Sequence, residues 1–474
     1  MTQRIIREKL ARFLDYKSEQ WCKEISEQNL LPETILAKQE EIRIQAKHLK
    51  DYLISGGKCF ALSAVKGAFS ATGYGNWWKT ILFHVANWTP NNLESLNEII
   101  ELNHLLPPHH LAPLQTLTLG NLLELVLNHV ATEQANPKPS IKSFLPEEIT
   151  QLHYFDPNKN FFEIVINGEL FQAKSRDIIG GYFTRATFAS LLRDHQEQFP
   201  GNICLVHAEN HVINVQYEEE KWIIYNSNYS HESIETMTKS FDTAEACVEE
   251  IQLCLKSEAL ALELASFRAN KPVEFDFFDK LTTQHIVKLI EKGGLYVIAR
   301  YVPHQLEKIV ELAFESKELR AALSMTLSKE NQDERYCLSA IACYSPSGLE
   351  DLFFLAQKDE LLGKSIAGAL VISDEEQWNV LHVMNSQTSP PISALLNLAE
   401  VNGQVNKALH TALGMKNKKG KTPLDHLSKD DLNYFKLSNF YSSKSLQRKS
   451  LFNPKSKKIS DENKKPASKT LLKN

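Results

Sequence analysis

The sequence predicts an α+β domain followed by an all-α repeat domain, and three observations carry that expectation. Helical apolar spacing dominates the chain as far as Val130. Alternating runs of β type appear between Phe161 and Asn226. Beyond about residue 275, matching positions recur 43 residues apart. At 474 residues the chain has room for two or three domains.

Composition narrows the classes. A hydrophobic fraction of 43% and an aromatic fraction of 9% belong to a globular protein with real cores, and a net charge of −5 gives no basis for a nucleic-acid partner. The stretch Met1 to Lys9 carries charges where a signal peptide needs an unbroken apolar run. No stretch approaches the ~18 apolar residues of a membrane span. Even Leu117 to Val130 is broken by Asn121, Glu124, Asn128 and His129. The cysteines Cys22, Cys59, Cys204, Cys247, Cys254, Cys337 and Cys343 are odd in number, scattered and without a CxxC pair. That excludes a disulfide framework or zinc site as an expectation and points to a reducing compartment. No cofactor is expected.

Residues 1–55 read as N-terminal helices. Ile6, Leu10, Leu14 and Trp21 recur at helical spacing, Pro32 interrupts, and a second amphipathic run ends at Ser55. The domain at 56–255 opens on Gly56-Gly57-Lys58-Cys59, followed by a helix with Leu62, Val65 and Phe69 on one face. Two glycines let the backbone bend and another group approach. A cysteine at a helix N-terminus meets unpaired N–H groups and a dipole that favour thiolate over thiol. The other reading of Cys59 is a small buried hydrophobe. The aromatic segment Gly73 to Trp78 follows, then helical patterns at Leu93–Leu105 and Leu114–Val130, bounded by Pro107-Pro108 and by Asn136 to Pro139. His109 and His110 sit in such a break and read as solvated.

The character then changes to β. Phe161 to Phe171 reads as strand, Asn167-Gly168 turn, strand. A helix at about Thr187–Phe199 precedes three antiparallel strands at Ile203–Val206, His211–Tyr217 and Trp222–Asn226. A long helix from about Thr243 places Cys247, Ile251, Cys254 and Leu255 on its apolar side, so those two cysteines read as core. Pairing Tyr217 with Trp222 across the Glu218–Lys221 turn puts His211 opposite Asn228, with Asn226 its diagonal neighbour. An imidazole and a carboxamide thus share one surface. A cysteine's base needs such an orienter to fix the ring tautomer. A histidine satisfied by neighbouring backbone is the plain alternative, but a helix-start cysteine roughly 150 residues upstream matches the papain-type separation.

These blocks resemble the YopT/AvrPphB group of papain-like cysteine proteases, which bacteria inject into host cells. The resemblance covers about residues 50–255 and rests on Gly57 to Ser63, on His211 to Val215, and on Trp222 to Tyr229. It implies a papain-like fold, with Cys59 as nucleophile, His211 as general base and Asn226 in place of the family's orienting aspartate; Asn228 is the reserve orienter. The chain departs from the family at Ser227 and Ser230, where proline and glycine are usual. It also lacks a Gln or Asn in Tyr52–Lys58 to help hold the oxyanion. Losing one such donor typically costs ~10²–10³ in rate.

Residues 256–279 are expected to form a helical linker, and 280–435 a repeat domain. Leu295, Leu338, Leu381 and Leu424 align, as do Ile298, Ile341, Met384 and Leu427, then Ile309, Leu352 and Leu395, and Leu323, Ile366 and Leu409. Each unit offers three short amphipathic helices and a polar connection, the signature of a solenoid. Gly420-Lys421-Thr422-Pro423-Leu424 and the degenerate Trp378–His382 resemble ankyrin repeats, which implies a structural role for His382. HEAT-like repeats are the competing label. Residues 436–474 form a serine-rich basic tail, with Lys455, Lys457 and Lys458 among its cations and few large apolar residues; this predicts disorder. The tail is a translocation signal, a membrane-surface contact or a solvated end.

The expectation is therefore a secreted bacterial effector. Its Cys-His-Asn thiol hydrolase would act in the host cytoplasm on a host protein recruited by ankyrin-like repeats. An inactive papain-fold binding protein is the alternative, as is a deamidase or acyltransferase using the same residues.

Overall fold

The computed structural model describes residues 2–54, 59–71, 75–101, 116–134, 160–166, 169–194, 196, 202–208, 211–229, 237–267, 278, 281–327, 336–387 and 390–427. The Gly56-Gly57-Lys58 bend, the turn at Asn167-Gly168, the proline breaks, His109, His110 and the basic tail lie outside them. The described chain is an α+β body built on one large antiparallel sheet, followed by a helical part.

Helices α1 (Thr2–Ser26) and α2 (Pro32–Ile54) run antiparallel through contacts that include the Lys50–Asp15 ion pair. Helix α3 (Cys59–Ala71) and helix α4 (Gly75–Asn87) follow, with Phe69 and Trp78 stacked at 5.6 Å. The helix expected over Leu93–Leu105 is corrected: a 3-10 turn at Glu94–Asn97 leads into strand β1 (Ile99–Glu101). β1 pairs with β2 (Thr116–Thr118), and helix α5 (Leu119–Gln134) starts only after it. The Ile99-Ile100 pair explains the change, since β-branched residues favour the extended partnered state over a helix.

Strands β3 (Asn160–Ile166) and β4 (Glu169–Tyr182) form the hairpin read around Asn167-Gly168, with Ile166 opposite Glu169. After helix α6 (Arg185–Asp194) come β5 (Asn202–Ala208), β6 (His211–Glu218) and β7 (Lys221–Tyr225), the three strands read from the alternation. Strand β8 (Thr238–Phe241) and helix α7 (Ala244–Leu255), capped by the Thr243 hydroxyl, complete this part. Residues 256–279 do not form a helical linker, because Ala259–Phe267 is strand β9, paired with β4 on one side and β5 on the other. The seven-stranded order is β3-β4-β9-β5-β6-β7-β8. Alternation divides the sheet's two faces. Cys204, Val206, Ile213 and Val215 join α6 and α7 in one core, whereas Leu205, Val212 and Tyr225 join α1 to α5 in the other. The N-terminal helices thus share a core with Cys59.

The helical part begins with α8 (Thr283–Ile290). Three triplets follow: α9 (Gly294–Tyr301), α10 (Pro303–Glu315) and α11 (Lys317–Leu327); α12 (Cys337–Tyr344), α13 (Pro346–Ala356) and α14 (Glu360–Leu370); α15 (Val380–Asn385), α16 (Ile392–Val401) and α17 (Gly403–Leu413). Equivalent helices pack on one another, α9 on α12 on α15, α10 on α13 on α16, and α11 on α14 on α17. The sequence period therefore appears as a period in packing. Local detail repeats with it: Val302 and Ser345 share one backbone conformation, each just before a proline that opens a helix. Asn379 caps α15 in a reciprocal box with His382, and its amide also donates to the Ala412 carbonyl at 2.8 Å. His382, fully buried, reaches the Lys421 carbonyl at 3.1 Å. The Asn379 cap and the His382 ring each brace a neighbouring segment.

The helical part is fused to the sheet. The Gln305 carboxamide mimics a strand neighbour, accepting from the Gly180 N–H at 2.9 Å and donating to its carbonyl at 3.1 Å. At Gly294 an added Cβ would lie 1.7 Å from the Leu289 carbonyl oxygen and 2.7 Å from the Tyr182 nitrogen. Both obstacles are backbone. Gly294→Ala is therefore expected to destabilise the protein by about 1–3 kcal/mol in urea unfolding, the usual range for overpacking. Gly368→Ala, with open space around its Cβ, should instead gain up to about 1 kcal/mol from helix propensity. Equal effects at both positions would refute the tight junction.

Candidate active site

The site is built where α3 lies along β6. Cys59 is the first residue of α3, the position at which the helix dipole acts on a thiol. One turn further on, the Ser63 hydroxyl donates to the Val212 carbonyl at 3.2 Å. Val212 follows His211, so the opening of the cysteine helix is held beside the start of the histidine strand. Further along α3, Lys66 is buried next to Ser70. Burial pulls its ammonium down to about 8, against the attraction of Glu218 at the far end of β6 and with the repulsion of Lys79. The two elements therefore run side by side over their length.

Cys59 is 8% exposed and packs in the apolar cluster of α1 to α5. This is also the packing of a small hydrophobe.

His211 and Asn226 meet directly. The β6–β7 ladder has Tyr217 opposite Trp222, as the hairpin turn requires, and runs to Asn214 opposite Tyr225. It stops there. The chain turns over Asn226–Tyr229, closed by the Tyr229 N–H on the Asn226 carbonyl at 3.1 Å, and the Asn226 N–H is tied to the Met237 carbonyl at 2.9 Å. The expected strand pairing of His211 with Asn228 is therefore not formed. Instead His211 Nε2 lies 2.8 Å from Asn226 Oδ1, while the Asn228 carboxamide nitrogen is 3.5 Å from the same ring atom.

The backbone fixes the tautomer. The Asn228 N–H points at the same Asn226 atom, 2.9 Å away, so that atom accepts and is the oxygen. His211 Nε2 must then carry the proton it donates. Nδ1 is left with its lone pair, and among the described residues it is buried without a hydrogen-bond partner. An Nε2–H ring can receive nothing from the Asn228 amide, so Asn226 is the orienter and Asn228 supports it through the main chain. Burial holds the His211 ring below its ordinary range, and the Asn226 hydrogen bond partly offsets this.

Two contacts that the sequence does not reveal complete the setting. Gln3 Nε2 donates to Ser227 Oγ at 3.0 Å, next to the orienting asparagine. Cys254 lies 3.3 Å from the Tyr229 hydroxyl and 3.5 Å from Glu250. Burial raises that thiol, against opposing hydrogen bonds from Tyr229 and Asn226, so it is not activated. Neither contact has a local sequence signal, since the first spans 224 positions and the second 25. Cys204, Cys247 and Cys337 are buried; burial pushes Cys247 above its ordinary value and Cys337 up to about 12. No group of three His, Cys, Asp or Glu side chains among the described residues could hold a metal ion, and none of the described helices is long and apolar enough to cross a membrane. No family model matches the chain, and no curated protein or solved structure is significantly similar to it.

Proposed function

We propose that the chain is a papain-type thiol hydrolase acting on a protein carbonyl, joined to an ankyrin-like solenoid that recruits its substrate. The observation that carries this reading is the state of His211: Nε2 is committed to Asn226 and Nδ1 keeps a buried lone pair, on a strand whose next residue, Val212, accepts through its carbonyl from Ser63 of the cysteine helix. The resemblance to the YopT/AvrPphB group adds the same three residues in the same order, and with it the expectation of an effector that works in a host cytoplasm. For the helical part, packing of equivalent helices at the sequence period supports a solenoid.

In this mechanism His211 Nδ1 takes the Cys59 proton, and the thiolate adds to the carbonyl carbon of an amide or thioester. Developing negative charge on the oxygen faces the N–H groups at the start of α3. The carbon–nitrogen or carbon–sulfur bond then breaks as the imidazolium returns its proton to the leaving group. Water, deprotonated by the same ring, cleaves the acyl-enzyme and regenerates the thiol. An amine in place of water gives acyl transfer, and a glutamine side chain as substrate gives deamidation.

The burial of Cys59 favours a second reading, an inactive papain fold used as a binding surface. Iodoacetamide at near-neutral pH, with labelled cysteines mapped by mass spectrometry, separates the two. The hydrolase predicts that Cys59 is labelled ahead of Cys22 and Cys204, and that His211→Ala removes this preference. Labelling of Cys59 no faster than of Cys22 in the native protein leaves only the binding reading.

A further inference from the structure

The first helix reaches into the candidate site. Gln3 is 7% exposed, and Ser227, whose oxygen accepts its amide proton, is fully buried. A buried carboxamide donor costs free energy unless it is paired, so this contact fixes where both partners sit. The bonded residue is the middle one of three. Asn226 supplies the Oδ1 that orients His211, Asn228 supplies the N–H that holds that Oδ1, and Ser227 lies between them. The outer end of the turn is tied to Met237 and closed on Tyr229. Among the described residues bonded to this turn, Gln3 comes from the N-terminal helix, 224 positions away. Its helix is anchored by Ile6, Leu10 and Leu14, all buried in the core that also contains Cys59 and Val212. A shift of α1 therefore moves Ser227 and the cysteine core together.

We propose that Gln3 is a positioning residue for the His211–Asn226 pair, so that α1 belongs to the catalytic unit. This rests on the hydrolase reading for its consequence but not for its geometry, and two measurements keep the failures apart. The variants are Gln3→Met, which keeps the side-chain length and apolar packing while deleting the donor, Ser227→Ala, which deletes the acceptor, and the two combined. The first measurement is the rate and pH profile of Cys59 alkylation by iodoacetamide. Each single variant is expected to slow it about fivefold at neutral pH, the worth of one ordinary hydrogen bond. The acid limb should move in the direction that Asn226→Ala moves it, and the double variant should be no slower than either single one. A merely structural contact would lower the melting temperature and leave the pH profile where it was.

The second measurement is exchange of the His211 Nε2 proton, followed by NMR in protein labelled with ¹⁵N. Both variants should speed that exchange several-fold by freeing the Asn226 acceptor. If Cys59 shows no His211-dependent reactivity in the native protein, the hydrolase reading fails and the exchange experiment still decides the positioning role. If exchange and pH profile are unchanged in folded Gln3→Met and Ser227→Ala, the positioning role is overturned while the hydrolase stands.

Discussion

His211→Ala is expected to lower Cys59-dependent hydrolysis of an activated ester such as p-nitrophenyl acetate by ~10²–10⁴-fold, the usual contribution of a positioned general base. The expectation follows from one ring atom. His211 Nδ1 is buried, carries a lone pair and has no hydrogen-bond partner among the described residues, while Nε2 is held by Asn226. Asn226→Ala leaves the base in place but frees the tautomer, so its loss should be smaller and should come with a shifted pH profile. The direction of the native profile also follows. Burial depresses the imidazole, so the neutral base persists below its ordinary 6.5. Activity should therefore hold as pH falls through that value and disappear only below it. Hydrolysis that survives His211→Ala within threefold would remove the histidine from the chemistry and the mechanism with it.

The hairpin carrying this base was legible because a two-residue turn and a strict alternation leave only one register, and Tyr217 does face Trp222. The extrapolation along that register failed at its end. β7 stops at Tyr225, and the next four residues curl so that Asn226 rather than Asn228 meets the ring. A strand's end is set by what caps it, here Met237, which pattern alone does not reveal. Strand β9 was hidden for a different reason. Ala259-Leu260-Ala261-Leu262-Glu263-Leu264-Ala265 consists of good helix formers, and the alternation of leucine with smaller residues was the weaker of two signals. In the sheet that alternation serves a central strand: Leu260, Ala261 and Leu262 are all fully buried, so both faces need apolar residues. Partners on both sides outweigh propensity there. The period of 43 residues was legible throughout, because the same side chains must meet the same neighbours in each unit.

Acid should unfold this protein early, and His207 should be a main cause. It lies on β5, 2% exposed, with the Tyr301 ring 6.0 Å away. Burial pushes its imidazole down to about 3 from an ordinary 6.5, and the nearby His211 charge adds to that. Between those two values the unfolded chain binds a proton that the folded chain refuses. The contribution is thus absent as a penalty above pH 6.5 and grows as pH falls toward 3. Each unit of that window is worth about 1.4 kcal/mol, so His207 alone should remove about 3 kcal/mol between pH 7 and pH 4. Urea unfolding at pH 7, 5 and 4 tests this against His207→Gln, which packs a neutral group in the same place. The variant is expected to be less stable than the native protein at neutral pH and to gain on it steadily as the solution is acidified. Parallel stability curves for the two proteins would mean that His207 takes up its proton without leaving the fold. The N-terminal helices, which cover the face of the sheet carrying Leu205 and Val212, would then have to admit a charge beside the candidate base.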